Sequence, residues 1–260
     1  MLARTNVLLR LKSSLRALVL PVLILSVWWF ITYLGLVSAV ILPSPEKVIQ
    51  TFVTFANNGQ LWFNLSVSFG RVVKGFLIGV SAGLCIGSLM GASRLAEKLI
   101  GPLFHAVRQV PILGWIPLLI LVFGIKENSK IAFIALGSFY PMALNTFEGA
   151  RSLKKEYYEV ARVFEYTKFR LVTTFLLPAA VPAILTGIRT SLSESWMLVV
   201  GAEMFASSFG GIGEMIWLAK DAFHIHIVLM GIICIGTVGF VFNWTIGLLE
   251  VRLLQWRKPA

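Results

Sequence analysis

Apolar runs of about twenty residues dominate this chain, each long enough for a helix to cross the hydrocarbon core of a bilayer. Six of them lie at about 17–37, 69–92, 101–123, 130–149, 181–205 and 227–250. A chain built this way folds as an all-α polytopic membrane protein with six transmembrane helices, because helices satisfy every backbone polar group internally in lipid. The composition agrees: 57% of the 260 residues are hydrophobic and 13% are charged, against about 25% charged in soluble domains. The first run exceeds a signal-peptide core, although Val37-Ser38-Ala39 is a cleavage-like site and leaves a removed signal as the alternative.

The net charge of +11 raises nucleic acid as a partner for a soluble protein. Here the Lys and Arg residues sit at segment ends, where they set topology against the bilayer, and no nucleic-acid partner is expected. With the N-terminus inside, 15 basic residues fall on the cytoplasmic side and 6 outside, Arg108 and Arg189 lying within or near spans. Both termini are therefore expected in the cytoplasm, with a basic N-terminal stretch at 1–16. The whole of 1–260 reads as one membrane domain with no appended soluble domain. Its longest polar stretches are 38–66 and 206–226 outside and 150–178 inside. In the first of these, Ser44 or Pro45 can start a short interfacial helix through Glu46–Phe55.

Gly75, Gly79, Gly83, Gly87 and Gly91 recur every four residues along the second run. They form one slowly winding stripe, which suits close helix packing in lipid; lining a pore with bare backbone is the alternative. Pro111 and Pro117 are expected to kink the third span, as a pathway wall or simply as kinked packing. Cys85 and Cys234 lie in apolar segments and read as packing residues.

Residues 151–178 are too polar for lipid yet carry helical spacing. Glu156, Glu159, Arg162 and Glu165 fall at three-residue steps, with Tyr158, Val160, Ala161 and Phe164 as apolar partners. A second short helix is expected over about 167–176. Glu159-Val160-Ala161, then position 165, then Phe175 and Leu177-Pro178 at fixed spacing resemble the EAA loop of binding-protein-dependent ABC importer permeases. Leu42-Pro43-Ser44-Pro45, Arg71–Phe76, Val110-Pro111, Ile116-Pro117-Leu118, Phe123-Gly124-Ile125, Ser129-Lys130-Ile131, Ala202-Glu203-Met204 and Gly211-Ile212-Gly213 extend the likeness over about 20–250. The chain looks most like the sulfonate, taurine, nitrate and bicarbonate branch of that family.

The resemblance implies a type I importer permease fold with cytoplasmic coupling helices, in the bacterial inner membrane. It implies a dimer of ABC ATPase subunits gripping Glu156, Glu159, Val160, Ala161, Arg162 and Glu165, a second copy of this permease, and a periplasmic or lipid-anchored binding protein. ATP and Mg would bind the ATPase, so the permease is not an enzyme and holds no cofactor or metal. The implied cargo is a small polar solute such as a sulfonate, taurine or nitrate. One departure is Glu165, which stands where the family has a glycine between the two coupling helices, so the turn must use ordinary backbone angles.

Ionisable groups within spans are functional candidates by default. Glu194 lies midway along the fifth run beside Ser191, Ser193 and Ser195; it reads either as lining the pathway or as a satisfied structural acid. A carboxylate there would repel an anion unless paired, with Arg189 a candidate partner, and would suit a cationic or donor-rich solute such as a pyrimidine thiamine precursor. Glu203 reads as a structural gate residue or a substrate contact. Arg108 either snorkels or pairs within the bundle. His224 and His226 read as a solvated pair rather than a metal site.

Other classes fit less well. There is no Gly-Lys dipeptide for a phosphate loop, and three His and one Asp lie scattered, which disfavours an enzyme. An ion-coupled secondary transporter would show inverted repeats and leave the 151–178 segment without a role.

Overall fold

A computed structural model describes residues 19–152, 163–164, 166–167, 177–205 and 209–253, and all regular structure among them is helical. In chain order, α1 is Val19–Tyr33, α2 Pro45–Asn57, α3 Gln60–Ala92 and α4 Arg94–Arg108. A 3-10 turn, Ile112–Trp115, precedes α5 at Ile116–Phe123. Then come α6 Glu127–Arg151, α7 Leu177–Phe205, α8 Ile212–Asp221 and α9 Ile225–Leu253. The chain divides into two compact units, Met1–Trp62 with Met215–Ile233, and Phe63–Glu214 with Cys234–Ala260.

The expected spans map unevenly onto these helices. Among the described residues, α3 and the Ile225–Leu248 part of α9 are long and apolar enough to cross a membrane outright. Helices α6 and α7, with 25 and 29 residues, have the length but carry charged and polar side chains. The second span is longer than its apolar run: α3 starts at Gln60, nine positions before 69, because the half-polar first turns continue the same helix.

The third span departs from expectation. It is not one kinked helix but two, α4 and the Ile112–Phe123 stretch, bent by 98° at the break. Pro111 caps the 3-10 turn at the break, where its ring ends α4's continuation. Pro117 kinks nothing; it sits in the first turn of α5, where its missing N–H has no helical acceptor to lose.

In the first unit, α2 starts where the sequence indicates. Ser44 is its N-cap, accepting from the Lys47 N–H at 3.4 Å, and Pro45 is the first helical residue. The Trp28 indole donates to the Pro43 carbonyl at 3.0 Å and the Trp29 indole to Glu46 at 2.8 Å. These two bonds tie the end of α1 to the start of α2.

In the second unit, α3 and α6 approach along the glycine stripe. A β-carbon at Gly75 would sit 2.6 Å from Ile134, and one at Gly83 would sit 2.7 Å from the Phe139 carbonyl and 2.8 Å from Met142. At Gly79 it would overlap the Ser138 hydroxyl and the Ala135 carbonyl. Gly87 and Gly91 face Ala143, Thr146 and Ala150 in the same way. Bare backbone here is what permits van der Waals packing, the main attraction between helices in lipid. Helix α7 packs along the other side of α6. Its Trp196 joins Val72, Ile134 and Val199 in a buried core and donates to the Ile235 carbonyl of α9 at 3.0 Å.

The segment that carries the coupling expectation, with Glu156, Glu159, Val160, Ala161, Arg162 and Glu165, lies outside the described residues.

Candidate functional site

Two polar features occur inside the second unit. One is a closed cluster of charges, the other an open cleft.

The cluster is built around Arg71, whose side chain is 3% exposed. Its Nη1 donates to Glu203 Oε1 and to the Gly210 carbonyl, each at 2.7 Å. Its Nε and Nη2 form a two-pronged pair with the Glu127 carboxylate at 2.7 and 2.5 Å, the planar geometry to which guanidinium is suited. Glu203 is equally enclosed. It accepts from the Ser68 hydroxyl at 2.8 Å and from the Gly213 N–H at 2.8 Å. Ser68 in turn accepts from the Ile212 N–H at 3.0 Å, and Asn64 from the Gly211 N–H at 2.8 Å. Lys130, also buried, has its ammonium 3.9 Å from Glu127.

This network pins the segment 209–213 onto α3 and α7. Gly211 is required there twice over. Its φ of +126° is outside the range L side chains adopt, and a β-carbon would meet Glu203 Oε1 at 2.5 Å and Arg71 Nη1 at 2.6 Å. Arg71 and Glu203 are enclosed and each is met by several hydrogen bonds, while Glu127 is half-exposed at the edge, so the Arg71–Glu203 core is a structural lock.

The cleft encloses about 370 Å³ and opens at the break between α4 and the 3-10 turn. Its polar groups are Arg108, Gln109, Tyr140 and Glu194, set among Pro111 and Leu198. The volume lies in the range of about 300–1,000 Å³ of small-molecule sites. Irregular backbone at membrane depth is tolerated where it lines such a cavity, and Gln109–Pro111 is that backbone.

The residues singled out in the sequence separate accordingly. Glu194 and Pro111 line the cleft. Ser191 and Ser195 face away from it: both are buried, donating at 2.8 Å to the carbonyls of Ser138 and Ser191 respectively. Arg189 donates through Nε and Nη2 to Asn243 at 3.0 and 2.8 Å. Glu203 belongs to the lock. Pro117 lines neither feature. That Arg71, Glu127 and Lys130 gather near Glu203, and that Arg108 and Tyr140 line the same cleft as Glu194, is not marked by spacing in the sequence. Arg71, Lys130 and Glu203 fall within segments that carry the family likeness, and Arg108 stands out as an ionisable residue near a span; Glu127 and Tyr140 carry no signal.

In the first unit, the His224 and His226 rings are 5.7 Å apart. No group of three His, Cys, Asp or Glu converges on one point among the described residues.

Known proteins place this architecture. Residues 75–255 match the family model described as binding-protein-dependent transport system inner membrane component. A Bacillus subtilis (strain 168) protein named as an aliphatic sulfonates transport permease, SsuC, is 42% identical over 244 residues, covering 94% of this chain and 88% of that one. The taurine transport system permease protein TauC of Escherichia coli (strain K12) is 32% identical over 238 residues, covering 90% and 86%. Among solved structures, an amino acid ABC transporter crystallised with histidines matches with a TM-score of 0.61. It is 18% identical and covers 77% of this chain and 98% of that one, a likeness of fold. The chain therefore belongs to the binding-protein-dependent inner-membrane permeases of ABC importers, in the branch that holds the sulfonate and taurine permeases.

Proposed function

We propose that this chain forms the membrane pathway of an importer for small organic sulfonates. The observation that carries the reading is the 42% identity, along nearly the whole length of both chains, with a permease named for aliphatic sulfonates. In the cleft Arg108 would attract a sulfonate and Glu194, on the same lining, would oppose it, so the cleft does not carry the assignment. A partner ATPase dimer hydrolyses ATP outside this chain and drives it through the 150–178 segment. Two copies of the permease surround the pathway, and a periplasmic or lipid-anchored protein delivers the solute. Both termini, and the coupling segment, lie in the cytoplasm.

Uptake of radiolabelled ethanesulfonate tests this. Cells lacking other sulfonate importers should accumulate it when given this permease with its cognate ATPase and binding protein. Accumulation should stop when any of the three is omitted. Absence of uptake with all three present would remove the sulfonate assignment.

A further inference from the structure

Helix α4 has two faces that differ in kind. One packs inward: Gly101 and Phe104 are buried, and the Phe104 ring lies 6.0 Å from those of Phe139 and Tyr140 on α6. On the opposite face Leu95, Leu99 and Leu103 recur at four-residue steps and are 67%, 70% and 66% exposed. Pro102 and Ala106, also exposed, fill the face between them. Along one edge of this stripe come Arg94 and Lys98, again four residues apart. Both are exposed, and neither has a hydrogen bond or ion pair among the described residues. The one carboxylate of α4, Glu97, is engaged by Arg151 at the end of α6. The outer face is therefore apolar with a basic border.

Its place relative to the bilayer follows from α3. That helix is long and apolar enough to cross outright, so its ends lie at opposite surfaces, and only Ser93 separates its last residue from Arg94. Helix α4 then turns back along α6: Glu97 meets Arg151, and Phe104 meets Phe139 and Tyr140. Its 15 residues reach about 22 Å, short of a hydrocarbon core of about 30 Å. Arg94 and Lys98 thus stand at the headgroup layer, and the leucines run inward from them, the pattern of a helix that engages anionic lipid.

We propose that this face of α4 is a binding site for an anionic phospholipid, with Arg94 and Lys98 holding the headgroup phosphate and Leu95, Leu99 and Leu103 the acyl chains. Charge complementarity favours that occupant over a second copy of the chain. A two-fold contact through this face would bring an identical basic border against the first.

The test follows thermal unfolding of the complete importer in detergent, titrated with dioctanoyl phosphatidylglycerol or dioctanoyl phosphatidylcholine. Phosphatidylglycerol should stabilise at the lower concentration. Arg94→Gln with Lys98→Gln should raise its half-saturating concentration about tenfold or more, each cation counting as one surface contact. The phosphatidylcholine response should be unchanged, which shows the variant intact. Leu99→Ser should weaken both lipids and keep their ratio. Lys74→Gln, which removes an exposed charge from α3, should alter neither. A phosphatidylglycerol preference that survives the double replacement, or that Lys74→Gln lowers as much, would overturn the proposal. So would equal stabilisation by inorganic phosphate, which has no acyl chains. Loss of permease pairing in Leu99→Ser would assign the stripe to a second copy and overturn it as well.

Discussion

Arg71 and Glu203 stand 132 positions apart and meet at 2.7 Å, both out of contact with solvent. One lies in α3 and the other in α7, and the Gly210 carbonyl completes the guanidinium's coordination. The pair is enclosed, so removing one member strands the other. Arg71→Met should destabilise the permease by about 3–5 kcal/mol, the range for a buried charge left without its partner. Thermal unfolding of the purified complex measures this. Combining it with Glu203→Gln should cost less than the two separate losses together, as coupled neighbours do.

The α3–α6 contact is equally specific about size. Gly83→Val would drive branched methyl groups into the Phe139 carbonyl and Met142. Since the obstacle is partly backbone, relief requires the helices to separate, at about 1–3 kcal/mol or more. A lower yield and unfolding temperature are expected. Gly70→Ala makes the control, because a β-carbon there meets nothing within 4 Å.

Orientation can be read chemically. In a background with Cys85→Ser and Cys234→Ala, a cysteine placed at 159 should react with a membrane-impermeant maleimide only after the cell is opened. Labelling from outside would invert the topology proposed for the chain. In the same segment, Glu165→Gly should lower coupled uptake relative to ATP hydrolysis if the native turn has been built around glutamate. Measuring both rates on one preparation separates coupling from expression.

Glu46 supplies a pH dependence. Hydrogen bonding from its own backbone amide, then from Ser44, holds its carboxyl below the usual glutamate range. The folded-state pKa being the lower one, the carboxylate's contribution to the start of α2 is present at neutral pH. It is lost as pH falls through that folded-state value. The Trp29 indole, bonded to Glu46 at 2.8 Å, should report the change. The acid-induced fluorescence change that Trp29→Phe removes should also be absent in Glu46→Gln.

Parts of this arrangement were legible without coordinates because they depend on local chemistry. Ser44-Pro45 announces a helix start by supplying a cap oxygen and a residue that needs no N–H acceptor. Apolar runs the length of a bilayer announce helices, since lipid leaves the backbone no other partner. Pro111 and Pro117 could not be told apart in this way. Each removes one donor, but the consequence depends on whether that donor falls within a helix or in its first turn, and the neighbouring fold decides which.

Glu194 and its serine neighbours show the same limit. Four residues of helix turn Ser191 and Ser195 onto one face, which packs against Ser138 of α6 and the preceding turn, while Glu194 turns outward to the cleft. Sequence proximity suggested a single polar group, and helix geometry divided it.

Hydropathy, the four-residue glycine rhythm and the spacing around 159–178 were enough to establish a helical permease of its family, because each reflects an interaction with lipid or an along-chain pattern. Which charges are saturated and which stand open was settled only in three dimensions. Arg71 finds Glu203, and Arg108 shares a cleft with Glu194, through helix packing that brings distant positions together. Coulombic and hydrogen-bond energies depend on separations of a few ångströms, which no linear order of residues specifies.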